Sequence, residues 1–441
     1  MNIEINSKNV KKGDIFIAIK GNNHDGHDYI NEAIKNGASK IVAERGNYEI
    51  ETIIVNDTRK YLIEELEKKY YSYISDIKLI GITGTNGKTT TCYLLYQALN
   101  KLGIKCAYIG TIGFYMDKKI SDLNNTTPDI LDLYKLLIKC RENNYNYVVM
   151  EVSSQGLDMN RLETLYFDYA VFTNLTQDHL DYHKTMENYA LAKQKLFKKL
   201  KPNGISIVNI DDEYSKYFFN KKSITYGFKE SDYQINNYNL FVNKTCFEVN
   251  SEKYETKLIG KYNIYNILVC IIILKQLKIY NDNIIYSLEA PIGRTEKIKY
   301  NDNLIIIDYA HTPDAVSKII SNVKELSPNK IYTIIGCGGN RDKTKRKIMG
   351  KIATELSDFV IFTNDNPRYE NPDDIIKDIL KDVNKTNYEI LKNRKKAIKK
   401  GIQKLKENDI LLVLGKGHEE YQVIKDKKRY FSDKKEILKY I

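Results

Sequence analysis

The stretch "GITGTNGKTTT", residues 81–91, has the residue types that hold the phosphates of a nucleotide. Gly84 and Gly87 let backbone N–H groups turn inward around an anion, with Thr85 and Asn86 between them. Lys88 can reach terminal phosphates, and Thr89, followed by Thr90, can hold Mg2+ where a helix begins. The general pattern GxxxxGK[ST] is not met in full, because Ile82 occupies its first glycine. A plain glycine-rich turn is the alternative, but a strand before and a helix after favour phosphate binding.

Further polar groups follow other apolar runs. "VVMEVSSQGLDMNRLE" leads into Glu151, Ser153 and Ser154. A carboxylate there suits Mg2+, which prefers oxygen and retains water, and it suits a cap or surface charge equally. "VFTNLTQDHLDYHKTMENYALAKQKLF" brings Asn174, Asp178, His179, Asp181 and His183, then a helix with Lys193. His179 can take a metal or cap the helix, and Lys193 reads as one helix lysine among many. In the last third, "GRTEKI" supplies Arg294, "IIIDYAHTPDAV" supplies Asp308, Tyr309 and His311, and "GCGGNRDKTKR" supplies Arg341 and Lys343. Asp308 suits a ribose hydroxyl and Arg294 a transferring phosphoryl group; each also suits a loop anchor. In "VIFTNDNPRYENP", an apolar run stops at Asn, Asp and Pro, and Pro367 fixes the backbone that holds out Arg368.

Strand–helix alternation must position these groups. "GDIFIAIKG" reads as a strand bounded by glycines, and "IKLIGITGTNGKTTTCYLLYQALNKLG" as strand, loop and amphipathic helix. "LIGKYNIYNILVCIIILKQL" reads as a helix, and "EAPIGRTEKI" as a connection. The strands "KIYTIIGCGG", "FVIFTNDNP" and "DILLVLGKG" carry polar loops at their C-terminal ends, where parallel α/β sheets bind ligands. The expectation is an α/β fold of three units: 1–76, 77–288 and 289–441.

Bulk properties narrow the class. The chain of 441 residues is too long for one ordinary core, and 42% hydrophobic content suffices for globular packing. No apolar run approaches the ~20 residues of a membrane span, and the N-terminus lacks a signal pattern, so a cytoplasmic protein without membrane insertion is expected. Six scattered cysteines without a CxxC pair read as reduced, packed thiols. The net charge of +12 is spread along the chain, as a solvated lysine-rich surface would be, so no nucleic-acid partner is expected. Neither low-complexity segments nor internal repeats are evident.

Taken in order, "TGTNGKTTT", "EVSSQGLDMNR", "FTNLTQDHLDYH", "GKYNIYN", "GRTEKI", "DYAHTPDAV", "GCGGNRDKTKR", "DNPR" and "GKGHE" resemble the Mur ligases, ATP-dependent amide-forming enzymes of cell-wall assembly. The resemblance spans nearly the whole chain. It implies a small α/β N-terminal domain for the UDP-substrate, a central P-loop ATPase-like domain with a parallel or mixed sheet, and a Rossmann-like C-terminal domain for the amino acid. "DYAHTPDA", "DNPR" and "GKGHE" resemble the branch that adds the third residue to UDP-N-acetylmuramoyl-L-alanyl-D-glutamate.

That resemblance implies residue roles. Lys88 and Arg294 would contact the γ-phosphate, and Thr89, Glu151 and His179 would ligate or orient Mg2+, with two metal sites expected. Lys193 matches a lysine that the family carbamylates with CO2, placing a carboxylate by the second metal. Asn266, Asp308 and His311 would serve adenine and ribose. Ser7, Asn125, Thr126, Thr127, Ser153 and Arg161 would hold the UDP-sugar-dipeptide. Arg368 would clamp the second carboxylate of meso-diaminopimelate with help from Arg341, while Asp365 and Asn366, beside Pro367, bind its amino group and Gly415 and Glu419 complete the pocket. Lysine-adding relatives lack this arginine, whereas lanthionine would satisfy it equally. Met159 stands where some relatives have glutamine, and Asn340 where Asp is common. A monomer is expected. Another Mur-type or folylpolyglutamate-type ligase, and a nucleic-acid-binding P-loop ATPase, are the competing readings.

Overall fold

Runs such as "KLIGIT" and "ILLVL" are almost wholly apolar because the strands they form, Lys78–Thr83 and Ile410–Leu414, lie in sheet interiors and are buried along nearly their whole length. In a computed structural model, which describes residues 2–21 and 24–441, these strands anchor two of three main sheets. The first main sheet precedes both. It has four parallel strands in sequence order, Ile3–Glu4, Ile15–Ile17, Lys40–Ala43 and Thr52–Ile54, packed around Phe16, Ile30 and Ile41.

The second sheet has eleven strands. At its centre Lys78–Thr83 lies between Phe167–Phe172 and Tyr147–Glu151, and all three run parallel. That order sets the loop after Thr83 between Thr173 and Glu151. Antiparallel strands extend both margins, so the sheet is mixed. Helix Lys88–Lys101 covers one face together with Lys261–Gln276. The second helix is apolar almost all round, with Ile264 and Ile267 through Leu274 buried. This is a core helix rather than an amphipathic surface one.

The third sheet orders six strands as Glu296–Tyr300, Asn303–Asp308, Ile410–Leu414, Ile331–Ile335, Phe359–Phe362 and Tyr388–Ile390. All but the first pair in parallel. The last of these six strands in sequence therefore sits in the sheet's interior, creating a switch in strand order. Loops after Asp308, Ile335, Phe362 and Leu414 all leave from carboxyl ends, where such sheets bind ligands. The expected connection "EAPIGRTEKI" is only partly a loop: Glu296–Tyr300 forms the antiparallel edge strand. Its alternation of half-buried and exposed residues suits an edge, and the short run had concealed the strand.

The six cysteines are unpaired, and five are buried. Among the described residues no helix is long and apolar enough to cross a membrane. The C-terminal helix Asp433–Ile437 is tied to the third sheet by a buried fork. Arg394 gives Nε and Nη2 to the two oxygens of Asp433, both at 2.7 Å, and Nη2 to the carbonyl of Leu414 at 2.9 Å. Both side chains are essentially inaccessible to solvent. Truncating one partner strands the other's charge, so Arg394→Ala should cost about 3–5 kcal/mol in urea unfolding.

Candidate active site

The turn after Thr83 depends on two glycines. Gly84 has φ 149°, and a Cβ there would lie 2.0 Å from the Thr173 hydroxyl. Gly87 has φ 87°, and its added Cβ would lie 2.7 Å from Asn266 Oδ1. Neighbouring strand ends pin the loop. Thr85 N donates to the Asn174 carbonyl at 2.8 Å, Asn86 N to Asn174 Oδ1 at 3.0 Å, and Thr173 Oγ1 to the Asn86 carbonyl at 2.7 Å. Lys88 Nζ curls back onto the carbonyls of Gly84 and Thr85, both at 2.8 Å. Burial lowers its pKa below the ordinary lysine range, a cost that an anion in the loop offsets.

Glu151 is neither a cap nor a surface charge: it is fully buried. Its carboxylate accepts from Tyr108 Oη at 2.5 Å, Thr111 N at 2.8 Å, Thr111 Oγ1 at 3.0 Å and Thr89 Oγ1 at 2.9 Å. The Thr89 hydroxyl and the Glu151 carboxylate thus form a hard oxygen pair at the foot of the loop. Among the described residues no three His, Cys, Asp or Glu side chains gather as a metal cage. An oxygen pair suits Mg2+, which takes one or two protein ligands and completes its shell with phosphate and water.

Helix Met186–Lys198 delivers Lys193, which is 1% exposed. Its Nζ donates to the Gly84 carbonyl at 2.9 Å and lies 4.4 Å from the centre of the Tyr189 ring. Burial, and then the charge of Lys88, push its pKa well below the ordinary range. Among the described residues no carboxylate pairs with it. His179 has left-handed backbone, φ 55°, beside the buried Asp178, whose carboxylate lies 3.5 Å away.

A cavity of about 750 Å³ opens between the second and third sheets. The loop from Thr85 to Thr90, together with Thr126, Glu151 and His179, lines one side. Asn266 lines it too, although its side chain is committed to Thr91 and Asn263. Across the gap, Arg294 reaches Thr89 Oγ1 at 3.3 Å while its guanidinium lies 4.4 Å from the centre of the Tyr309 ring. Asp308 steadies that arm, its carboxylate accepting from Thr295 N at 2.7 Å and Ala310 N at 2.8 Å. His311 shares Nδ1 with the Tyr309 carbonyl at 2.7 Å, and burial lowers its pKa to about 4.

The far end of the cavity has two guanidiniums and two carboxylates. Arg368 has φ 51° and gives Nη1 to the Gly339 carbonyl at 2.8 Å. Among the described residues it makes no ion pair; burial, and then nearby Arg341, disfavour its charged form. Asp365 lies beside Gly415, where an added Cβ would meet Asp365 Oδ2 at 2.8 Å. Asn366 is spent internally: it donates to Glu419 at 2.8 Å and accepts from Lys416 Nζ at 3.2 Å and Val423 N at 2.9 Å. Pro367 turns the chain but does not line the cavity.

Gly84 and Lys193 also do not line the cavity, and five other nominated residues lie off it. Ser7 is buried in the first sheet's unit and donates to Glu32 at 2.5 Å. Thr127 Oγ1 donates to the Glu151 carbonyl at 3.0 Å and accepts from Ser153 N at 2.9 Å. Arg161 gives Nη1 to the Thr127 carbonyl at 2.8 Å, with Nη2 3.3 Å from Met159 Sδ. Asn125 is exposed. Reading the sequence did not single out Tyr108, Thr111 and Lys416, because their importance comes from contacts across the fold; a fully buried lysine such as Lys416 looks ordinary in one dimension.

Three family models cover most of the chain: the Mur ligase family catalytic domain over residues 1–82, the Mur ligase middle domain over 82–274, and the Mur ligase glutamate ligase domain over 293–417. The chain belongs to the Mur ligase family and is a ligase. The UDP-N-acetylmuramoyl-L-alanyl-D-glutamate–2,6-diaminopimelate ligase of Fusobacterium nucleatum subsp. nucleatum is 41% identical, the match covering 98% of this chain and 92% of the relative. The enzyme of the same name from Aquifex aeolicus is 42% identical over 99% of this chain and 93% of its own length. A solved structure of an enzyme of that name superposes with TM-score 0.69 at 29% identity, covering 100% of this chain and 94% of the other. The MurF ligase from Thermotoga maritima shares the fold, with TM-score 0.71 at 21% identity over 100% and 96% of the two chains.

Gly84→Ala should weaken ATP binding by at least about tenfold, since both φ and the Thr173 contact forbid a methyl group. Isothermal titration with a non-hydrolysable ATP analogue measures it.

Proposed function

We propose that this ligase joins meso-2,6-diaminopimelate, or an analogue with the same two ends such as lanthionine, to UDP-N-acetylmuramoyl-L-alanyl-D-glutamate at the expense of ATP. One observation carries the reading: a phosphate loop, an arginine reaching across to it and a lobe of two guanidiniums and two carboxylates share one cavity. Relatives at about 40% identity bearing that enzyme's name support it. A cytoplasmic monomer is part of the proposal, in which residues 1–76, 77–288 and 289–441 would serve the UDP end, the ATP and the amino acid.

The substrate carboxylate attacks the γ-phosphorus, ADP leaves, and the acyl phosphate forms. The amine of the incoming amino acid then attacks the acyl carbon, phosphate departs and an amide remains. Such a step needs positioning and charge neutralisation more than covalent help. Lys88 and Arg294 approach the γ-phosphate from opposite sides of the cavity. Thr89 and Glu151 would hold Mg2+, with His179 nearby; the ion supplies charge neutralisation of the phosphate oxygens. Arg161, free of a carboxylate partner among the described residues, suits the anionic substrate near Thr126, Thr127, Ser153 and Asn125. Ser7 would contact the UDP end from the first unit, its hydroxyl turning from Glu32.

Lys193 suits carbamylation on physical grounds. An amine reacts with CO2 in its neutral form, and burial beside Lys88 favours that form. The product keeps an N–H for the Gly84 carbonyl and exchanges a buried cation for an anion beside Lys88. Asp365 and Glu419 would face the ammonium of the incoming amino acid, Asn366 holding Glu419 in place, while Arg368 and Arg341 take its far carboxylate.

ADP release with the UDP-dipeptide and a panel of diaminopimelate, lanthionine, lysine and ornithine tests the reading: release with a diacid supports it, and equal release with lysine removes the clamp. Arg368→Ala should lower kcat/KM for diaminopimelate about 100-fold while ATP affinity survives. Lys193→Ala should abolish turnover, with partial recovery on adding short-chain carboxylates; full activity without them would dismiss the carbamate.

A further inference from the structure

Arg341 and Arg368 stand on separate loops, 336–341 and 364–370, that approach closely. A Cβ at Gly339 would lie 2.0 Å from the Pro367 carbonyl, and one at Gly338 2.9 Å from Arg368 Nη1. Asn340 and Arg368 both have left-handed backbone with φ 51°. Two like charges on these loops repel, so something must hold the loops together. Part of the tie is local: Gly339 N donates to the Asn366 carbonyl at 2.9 Å and Tyr369 N to Asn340 Oδ1 at 3.0 Å.

The stronger tie lies behind the loops. Arg346, fully buried on helix Thr344–Leu356, grips Glu370 with a fork, Nη1 at 2.8 Å and Nη2 at 2.9 Å. Nη2 also donates to the Gly338 carbonyl at 3.1 Å, and Nη1 to Asp378 at 3.0 Å. Glu370 in turn accepts from Asn340 N. One guanidinium therefore joins the first loop through Gly338, the second through Glu370 and the following helix through Asp378. Hydrogen bonds from Arg346 hold the Glu370 carboxyl at about 2, so the pair stays charged at any working pH. Neither Arg346 nor Glu370 lines the cavity.

We propose that the Arg346–Glu370 pair is a positioning device for substrate choice: it fixes the separation of the Arg341 and Arg368 guanidiniums so that both meet one distant carboxylate, and thereby sets the preference for a diamino diacid over lysine. This rests on the diacid reading of the site. A fork-to-fork bond specifies geometry as well as charge, which a lone ammonium cannot do.

The test measures ADP release against diaminopimelate concentration for Glu370→Gln and Arg346→Lys, each alone and combined with Arg368→Ala. Glu370→Gln should raise KM for diaminopimelate about tenfold, with the KM values for ATP and the UDP-dipeptide shifting less than about twofold. Preference for diaminopimelate over lysine should fall by the same factor. Arg346→Lys, which keeps the charge but loses the fork, should raise the same KM less, and it serves if Glu370→Gln folds poorly. In the Arg368→Ala background either change should move KM by less than about twofold, because the clamp is already gone. An unchanged KM in the single variants, or the same rise in both backgrounds, overturns the proposal while the diacid reading stands. Wild-type enzyme that releases ADP with lysine and with no diacid overturns both.

Discussion

Two lysine amines share one carbonyl oxygen. Nζ of Lys88 and Nζ of Lys193 donate to Gly84 at 2.8 and 2.9 Å, and neither has a carboxylate within ion-pairing distance among the described residues. Charging both amines around a single dipole is expensive unless anions arrive. The loop's shape makes room for them: two positive-φ glycines, a strand order that brings Thr173 and Asn174 alongside, and a buried Glu151 that orients Thr89. A polyphosphate in the loop would relieve that cost, and Arg294 adds positive charge from the facing unit.

The same logic recurs at the other end of the cavity with the signs separated. Arg341 and Arg368 gather positive charge at one point, while Asp365 stands at another beside Glu419, whose carboxylate is paired with the buried Lys416 at 3.0 Å. On the proposed reading, a ligand with an ammonium and a remote carboxylate would pair with Asp365 and with the two guanidiniums, whereas a ligand ending in a second ammonium would leave a guanidinium uncompensated. Selectivity at such a site would be mostly rejection, arising from what an ill-matched ligand leaves unpaired.

The phosphate loop and the polar loops at strand ends were legible because their signals are local: glycine spacing, a strand before, a helix after. Parallel sheets followed from alternation. The edge strand Glu296–Tyr300 was missed, since its pattern is short and follows a glycine turn. Lys193 read as ordinary because helix periodicity does not reveal that a lysine faces a buried carbonyl, and only the resemblance singled it out. Glu151 likewise gained its character from Tyr108 and Thr111, which lie about forty residues away in sequence. Asn366 was nominated for ligand contact, yet its amide is spent on Glu419, Lys416 and Val423, a commitment that only three-dimensional packing creates.

The strand Ile410–Leu414 lies between Asn303–Asp308 and Ile331–Ile335, although it leaves the ribosome after both. Until it emerges, those two strands have no ladder between them, and their inner edges remain open to stray pairing. The first two units, whose strands all come earlier, can assemble while the third waits. The third unit is therefore the last to be completed in a newborn molecule. A polypeptide cut short before Ile410 would keep the phosphate loop, Arg341 and Arg368 but lack Gly415, Glu419 and the strand that joins the two halves of the third sheet.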